Sequence, residues 1–235
     1  MVFLGRFPKS KALHDQFQRD NRQIDPFIFR EETHDDYSIL RNMPDLVLAS
    51  QSLGRKKLLQ YLKIPFKIII SSLDEEKILA KTPEETIRLR AKLKGEEVAS
   101  RLQSPSIILS ADSGAVFGRE LIGKPHSRED AVRILKTLAG HRHKYITSTY
   151  IIKLSTDKLK SIIYQGENTS FVTFRKMAKD DINFFLDRTD YTRFAAGYIL
   201  VSAQDFITRV EGSLSNVIGL PLEDIIPVLK KEHII

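Results

Sequence analysis

Cysteine is absent from this chain of 235 residues. A chain without cysteine has no disulfide framework, no thiolate zinc site and no cysteine nucleophile, which is consistent with the cytoplasmic location we expect. The six histidines are scattered, and no further histidine stands near the pair His141 and His143 to complete a metal site. These two residues would lie on one face of a strand, where we interpret them as a solvated pair.

Long apolar runs are also absent, since none approaches the ~20 residues of a membrane-spanning helix. We therefore expect no membrane partner. Hydrophobic residues at 42% and charged residues at 29% are ordinary for a soluble globular protein. The length allows one sizeable core or two smaller ones.

Positive charge is in excess, with a formal net charge of +7. Cations and anions are equal in number in residues 1–42, so the whole surplus belongs to residues 43–235. A basic domain attracts polyanions, and nucleotides and nucleic acids are both candidates because charge alone does not separate them.

Residues 1–42 are polar, with thinly spread apolar residues. They lack the apolar core of a signal peptide, and their acidic residues argue against an organellar transit peptide. We predict two regions: an N-terminal extension over residues 1–42, either disordered or the product of a start codon placed too early, and one folded domain over residues 43–235.

From residue 45 onward, strand-like apolar runs alternate with stretches of helical periodicity, which favours an α/β fold. Gly118-Arg119-Glu120 lies between two short apolar pairs and predicts a hairpin turn. The patterns predict strands over residues 46–49, 66–70, 107–111, 145–154 and 161–174, and helices over residues 54–62, 83–101, 127–140, 179–186 and 222–230.

The junction between the first strand and the first helix has the composition of a phosphate-binding site. Ser50 and Ser52 follow the apolar run, then Gly54, then Arg55 and its neighbouring lysines. A helix N-terminus presents free N–H groups and a positive dipole end, which suit a polyphosphate. Taken alone, the segment is explained as well by a serine cap and solvated cations.

Carboxylates follow two of the predicted strands. Asp112 comes directly after the apolar run Ile107-Ile108-Leu109, and Asp74 and Glu75 follow the strand predicted over residues 66–70. Ligands of open α/β sheets bind at the carboxyl ends of strands. Oxygen ligands from two strand ends can hold Mg²⁺ or Mn²⁺, so Glu75 and Asp112 are candidate metal ligands.

Two lysines are candidates for holding phosphates as point charges. Lys92 belongs to the helix predicted over residues 83–101, and Lys124 lies in a tight Gly-Lys-Pro turn. Each has an ordinary alternative, a solvated helix cation for Lys92 and a turn residue for Lys124.

The strand-to-helix junction resembles the opening motif of the Maf family, Leu-Ala-Ser-x-Ser-Pro-Arg-Arg-x-Glu-Leu-Leu. It departs from that motif at Leu53, Gly54 and Lys57. It keeps Leu48, Ala49, Ser50, Ser52, Arg55, Leu58 and Leu59.

Further blocks resemble the family in order, from about residue 45 to about residue 230. They are Ser71-Ser72-Leu73-Asp74-Glu75 for Ser-x-x-Asp-Glu, Leu89-Arg90-Ala91-Lys92 for Ala-x-x-Lys-Ala, Ser110-Ala111-Asp112-Ser113 for Gly-Ala-Asp-Thr, Ile122-Gly123-Lys124-Pro125 for Gly-Lys-Pro, Val172-Thr173-Phe174-Arg175, and the block from Arg209 to Pro221.

The resemblance implies the inosine-triphosphate-pyrophosphatase-like fold, a mixed twisted sheet with flanking helices in two lobes around a central cleft. It implies hydrolysis of nucleoside triphosphates to the monophosphate and pyrophosphate with a divalent cation, Mg²⁺ or Mn²⁺. Asp112 would be the general base and Glu75 would orient water or bind metal. Lys92, Lys124, Ser50, Ser52 and Arg55 would hold the phosphates, and the block from Glu211 to Pro221 would line the cleft.

The family's branches differ at three positions near the base and phosphates. Members that hydrolyse dTTP and UTP carry Arg, Thr and Gln, and those that favour 7-methyl-GTP carry Trp, Gln and Glu. This chain has Gly54, Ser113 and Leu200 there. We therefore expect weak discrimination among bases, with dTTP, UTP or modified nucleotides as candidate substrates.

A second hypothesis is a basic module that binds nucleotide or nucleic acid without turnover, favoured by Gly54 and Leu200. Against it, a carboxylate facing a triphosphate costs affinity unless a metal intervenes. We expect a nucleoside triphosphate as partner and no nucleic acid, and a homodimer is left open.

Overall fold

The computed structural model describes residues 44–235, which belong to one compact unit. In this part of the chain seven strands form a single mixed sheet. The strands are β1 (Asp45–Leu48), β2 (Lys67–Ile68), β3 (Ser106–Phe117), β4 (Glu120–Ile122), β5 (Arg142–Leu154), β6 (Lys160–Phe174) and β7 (Ile207–Glu211). The helices are α1 (Leu53–Tyr61), α2 (Pro83–Arg101), α3 (Arg128–Leu138), α4 (Lys179–Arg188), α5 (Leu214–Ile218) and α6 (Leu222–Lys231).

The sheet has a parallel edge and an antiparallel remainder, in the order β2-β1-β3-β5-β6-β7, with β4 paired to β3. β1 pairs in parallel with both β2 and β3, and Leu48 at its end lies opposite Leu109. The last three residues of β1 are buried, which explains why they are all apolar. The mixed α/β architecture predicted from the sequence is confirmed.

Strand β3 is much longer than the predicted segment, which stopped at residue 111. The whole strand has 12 residues and extends to Phe117, because its second half pairs with β5 and β4. Asp112 therefore lies within the strand, opposite Ser148, and not at its end as predicted. Since β1 stops opposite Leu109, the loop after β1 still comes close to Asp112.

Helix α2 has the bounds that the sequence predicted. Thr82 caps it by accepting a hydrogen bond from the Glu85 amide, and Pro83 occupies the first turn, where its missing N–H costs nothing. The helix packs closely on β3, because a Cβ on Gly95 would lie 2.5 Å from Ser110 Oγ. This close approach brings the middle of α2 to the functional region of the sheet.

Two larger apolar cores flank the sheet, in agreement with the two lobes expected. One combines α3, α4 and the last part of the chain before β7 with strands β5 and β6, and contains Phe174, Phe185 and Phe206. The other packs α1 and α6 on β1 and β3. No helix in the described residues is long and apolar enough to cross a membrane.

The strand predicted over residues 66–70 forms only Lys67–Ile68, both exposed, because this edge of the sheet has β1 as its single neighbour. The N-terminal extension predicted over residues 1–42 lies outside the described residues.

Candidate active site

A cleft opens between the two lobes, and most of the predicted site residues line it. Its cavity volume is about 290 Å³, near the lower end of the ~300–1,000 Å³ usual for small-molecule sites. One wall combines residues 50–55 and 217–219 with Glu75, Lys94, Asp112 and Ser113; the other combines Lys124 and Tyr145 with residues 192–195 and 198–199. The segment over residues 192–199 is called the 192–199 loop below.

The loop between β1 and α1 is held by its own hydroxyl groups. Ser52 is the N-cap of α1, where its Oγ accepts a hydrogen bond from the Arg55 amide over 3.4 Å. Ser50 Oγ accepts from the Ser52 amide over 3.2 Å. The serine cap that the sequence analysis offered as an alternative explanation is therefore present. It places the first turn of α1 against the cleft.

Arg55 is buried and connects, by hydrogen bonds, elements that are distant in sequence. Its guanidinium donates to Gly219 O at 2.9 Å, to Ser50 Oγ at 2.9 Å and to Ser113 Oγ at 2.8 Å. The hydroxyl groups of Ser113 and Thr147 lie 2.9 Å apart. Arg55 thereby fixes the wall of the cleft, and it lines the cleft itself.

Gly54 has a packing role that the sequence did not reveal. A Cβ at this position would lie 2.7 Å from the carbonyl oxygen of Ile218, closer than a side chain tolerates. Helix α1 therefore approaches α5 only because residue 54 is glycine. An arginine, which the Maf opening motif has at this place, does not fit this backbone.

Lys94 joins the two predicted carboxylates. Its Nζ lies 2.7 Å from Asp112 Oδ1 and 3.1 Å from Glu75 Oε2, and only 3% of its side chain is exposed. Burial of a lysine is costly unless anions pair with it, and here two anions do. The three side chains form a single charged cluster, which we call the Lys94 cluster.

Glu75 belongs to a short 3₁₀ turn, Glu75–Lys77, several residues after β2. Burial is the largest effect and raises the pKa of its carboxyl, but Lys94, Arg55 and Asp112 together outweigh it, and the net pKa lies below the ordinary value. Glu75 therefore stays ionised at neutral pH. Asp74 in contrast is exposed and pairs with Lys77.

Lys92 was predicted as the helix lysine of the site, and this prediction is wrong. Its side chain is 46% exposed and faces Glu96 one helical turn away, outside the cleft. Two residues along a helix turn the side chain by ~200°, so Lys92 and Lys94 point in opposite directions. The spacing of Ala-x-x-Lys-Ala, counted from Ala91, already leads to Lys94.

The second lobe presents a cation and an irregular loop. Lys124 lines the cleft as predicted, and the preceding residue, Gly123, accepts a hydrogen bond from the Ala196 amide over 2.8 Å. This bond ties the Lys124 turn to the 192–199 loop. Ala196 itself has a φ of 56°, a left-handed conformation uncommon for alanine.

Leu200 was predicted to stand beside the base, but it packs against the core of the second lobe and does not line the cleft. Tyr198 and Ile199 line it instead. Two short 3₁₀ turns, at 191–193 and 195–197, precede Leu200, and no motif in the sequence predicted them.

An aromatic wall behind the cleft includes a buried histidine. His143 Nε2 lies 2.7 Å from Tyr198 Oη, and the Tyr198 ring meets Tyr145 edge to face. Burial lowers the pKa of His143 to about 4. The predicted solvated pair is wrong, because β5 begins after His141 and turns only His143 into the core.

The residues fit a divalent cation only in part. Among residues 44–235 there is no group of three or more His, Asp or Glu side chains placed to hold a metal ion. Glu75 and Asp112 offer two carboxylates, and Mg²⁺ usually takes one or two carboxylates with water and substrate phosphates as its other ligands. The two carboxylates would supply the protein ligands of such an ion.

The fold and the cleft define a mixed α/β protein with a cleft lined by charged side chains. The chain belongs to the Maf family, because the family model described as Maf-like protein matches residues 45–232. A nucleoside triphosphate pyrophosphatase of Rickettsia africae is 34% identical over 191 residues, covering 80% of this chain and 87% of that protein. One from Rickettsia akari is 36% identical over 184 residues, covering 77% and 90%.

Among solved structures, a HAM1 protein from Coxiella burnetii aligns with 58% of this chain and 76% of its own, at 13% identity and a TM-score of 0.38.

Proposed function

We propose that this protein hydrolyses nucleoside triphosphates to the nucleoside monophosphate and pyrophosphate. The observation that carries the proposal is the Lys94 cluster, a carboxylate pair around a buried ammonium in a cleft of net positive charge. The relatives' name, nucleoside triphosphate pyrophosphatase, supports the same activity.

In the proposed mechanism, water attacks the α-phosphorus, the bond to the bridging oxygen breaks and pyrophosphate leaves. Asp112 accepts the proton of the attacking water. Its Oδ1 is held by Lys94 at 2.7 Å, a contact that would direct the second oxygen, Oδ2, to the water.

The phosphates would lie along the other charged groups of the cleft. The N-terminus of α1 directs its amide groups and its dipole into the cleft. Lys124 adds a positive charge from the opposite lobe. Arg55 acts mainly by holding Ser50, Ser113 and Gly219 in place.

We further propose that a divalent cation, Mg²⁺ or Mn²⁺, binds with the substrate at Glu75 and Asp112, and that the protein works in the cytoplasm. The cation would neutralise phosphate charge when bound. Lys94 keeps the two carboxylates together before the substrate arrives.

The test is pyrophosphate release from a panel of common triphosphates and 7-methyl-GTP, with Mg²⁺ or Mn²⁺, for the wild type and Asp112→Asn. Loss of a general base lowers turnover by ~10²–10⁴-fold. Nucleotide binding should persist in the variant. Failure of the wild type to release pyrophosphate, or more than half of the turnover in the variant, contradicts the proposal.

The alternative of a binding module without turnover is tested in the same samples. Filter binding to single-stranded DNA and RNA should be weak and should not compete with nucleotide. Tight nucleic-acid binding without pyrophosphate release would favour the module instead.

A further inference from the structure

The charges that line the cleft do not contribute equally to its positive potential. In the part of the chain that the structure describes, the charged lining residues are Arg55, Glu75, Lys94, Asp112, Lys124 and Arg193. Two of the four cations lie deep in the cleft and two lie at its rim.

The deep cations are already committed to other groups. Lys94 contacts both carboxylates, and Arg55 donates three hydrogen bonds within the protein. Together they balance the charges of Glu75 and Asp112. The inner cleft is therefore close to neutral, and it attracts a polyanion only weakly by itself.

The surplus charge comes from Lys124 and Arg193, both exposed. Lys124 belongs to a block shared with the Maf family, whereas Arg193 belongs to no block that resembles it. Within residues 44–235 the one ion pair of Arg193 is with Asp190, at 3.9 Å, and its side chain is 52% exposed. An exposed pair at this distance contributes little, so the guanidinium is available to a ligand.

Arg193 and Lys124 stand on the same side of the cleft. The bond from the Ala196 amide to Gly123 O links the 192–199 loop to the Lys124 turn, and Gly197 packs against Pro125. Facing them is α1, which has glycine at position 54 where the Maf opening motif has arginine.

We propose that Arg193 binds the triphosphate chain of the substrate and supplies, from the 192–199 loop, the cation that α1 lacks at Gly54. The inference rests on the proposed function, because it adds a contact for the same substrate. A guanidinium binds phosphate oxygens through two parallel N–H groups, so it holds the chain in one orientation as well as attracting it.

The test measures binding of inorganic tripolyphosphate by calorimetry, which does not depend on turnover. Arg193→Ala should bind ~10-fold more weakly than the wild type. Arg193→Lys, which keeps the charge but loses the paired N–H groups, should bind more weakly than the wild type and more tightly than Arg193→Ala. The matched control is Arg133→Ala, because Arg133 is exposed and pairs with Asp130 at the same i,i+3 spacing, away from the cleft.

The same variants are assayed for pyrophosphate release, where Arg193→Ala should raise KM about as much as it weakens tripolyphosphate binding. A loss of tripolyphosphate binding below threefold in Arg193→Ala, or an equal loss in Arg133→Ala, overturns the assignment. So does a wild type that does not bind tripolyphosphate. If the wild type binds it and Arg193→Ala does not, the assignment stands even where no nucleotide is hydrolysed, and only the proposed activity fails.

Discussion

Lys94 and Asp112, from helix α2 and strand β3, are joined by a contact of 2.7 Å between Nζ and Oδ1, and both side chains are almost fully buried. The contact requires α2 to lie close to the sheet, which Gly95 permits. The geometry of the cleft therefore depends on how this one helix packs.

Replacing Lys94 should damage both stability and activity. Lys94→Met leaves Asp112 buried without its partner, and breaking such a pair costs about 3–5 kcal/mol of the free energy of unfolding. The matched control is Lys92→Ala on the same helix, which is exposed and should change neither property. Urea titration and pyrophosphate release measure the two effects. Loss of activity in Lys92→Ala, with Lys94→Met unaffected, would reverse the assignment.

Gly95 and Ser110 should show strong coupling. A Cβ on Gly95 would lie 2.5 Å from Ser110 Oγ, and overpacking of this kind costs about 1–3 kcal/mol. That exceeds the roughly 1 kcal/mol of helix propensity that alanine gains. The family blocks carry the reverse arrangement, alanine on the helix and glycine on the strand.

Gly95→Ala alone should therefore destabilise the protein, and the double variant with Ser110→Gly should recover part of the loss. Chemical denaturation of the two single variants and the double variant completes the cycle. Additive effects within about 0.5 kcal/mol would show that the two positions do not share this space.

His143 should make stability depend on pH. Its pKa is lowered by burial from the ordinary 6.5 to about 4 in the folded protein. The unfolded chain therefore binds the proton first, and stability that is fully present above pH 6.5 is lost as pH falls towards 4. The shift corresponds to roughly 3 kcal/mol over that window.

Melting temperatures of the wild type and His143→Gln between pH 7.5 and 4.5 check this. The wild type should lose stability more steeply over this range than the variant, which has no titrating ring. His141→Gln serves as the control because His141 is exposed. Parallel curves for the wild type and His143→Gln would contradict the expectation.

Gly54→Ala should lower the melting temperature. The added Cβ would meet Ile218 O at 2.7 Å, and a backbone oxygen cannot rotate away. Gly123→Ala is the control, since a Cβ there meets nothing within 4 Å.

The double variant Gly54→Arg with Leu200→Gln should not sharpen a preference for dTTP and UTP, because residue 54 has no space for a side chain and Leu200 lies outside the cleft. A folded Gly54→Arg variant with sharper selectivity would contradict this.

Much of the local structure followed from the sequence. The bounds of α2 were predicted because Thr82, Pro83 and the acidic first turn mark a helix start that needs no tertiary partner. Strand β1 was predicted because a strand buried on both faces must be apolar. Ser50, Arg55, Asp112 and Lys124 were predicted from their family blocks, and the structure brings them to one cleft.

Other features depended on packing between distant segments. Asp112 was placed at a strand end because an apolar run stops there, but pairing with β5 extends the strand through it. His141 and His143 have the same chemistry, and the start of β5 alone determines that one is buried.

The sequence by itself determined the fold class, the family and the kinds of side chain available to the cleft, since these depend on local periodicity and motif order. The tertiary structure decided which of them meet. Helix rotation selects Lys94 over Lys92, contact with Ile218 restricts residue 54 to glycine, and the 192–199 loop brings Arg193 to the rim. Each of these outcomes is set by contacts between residues far apart in the chain, which neither spacing nor composition encodes.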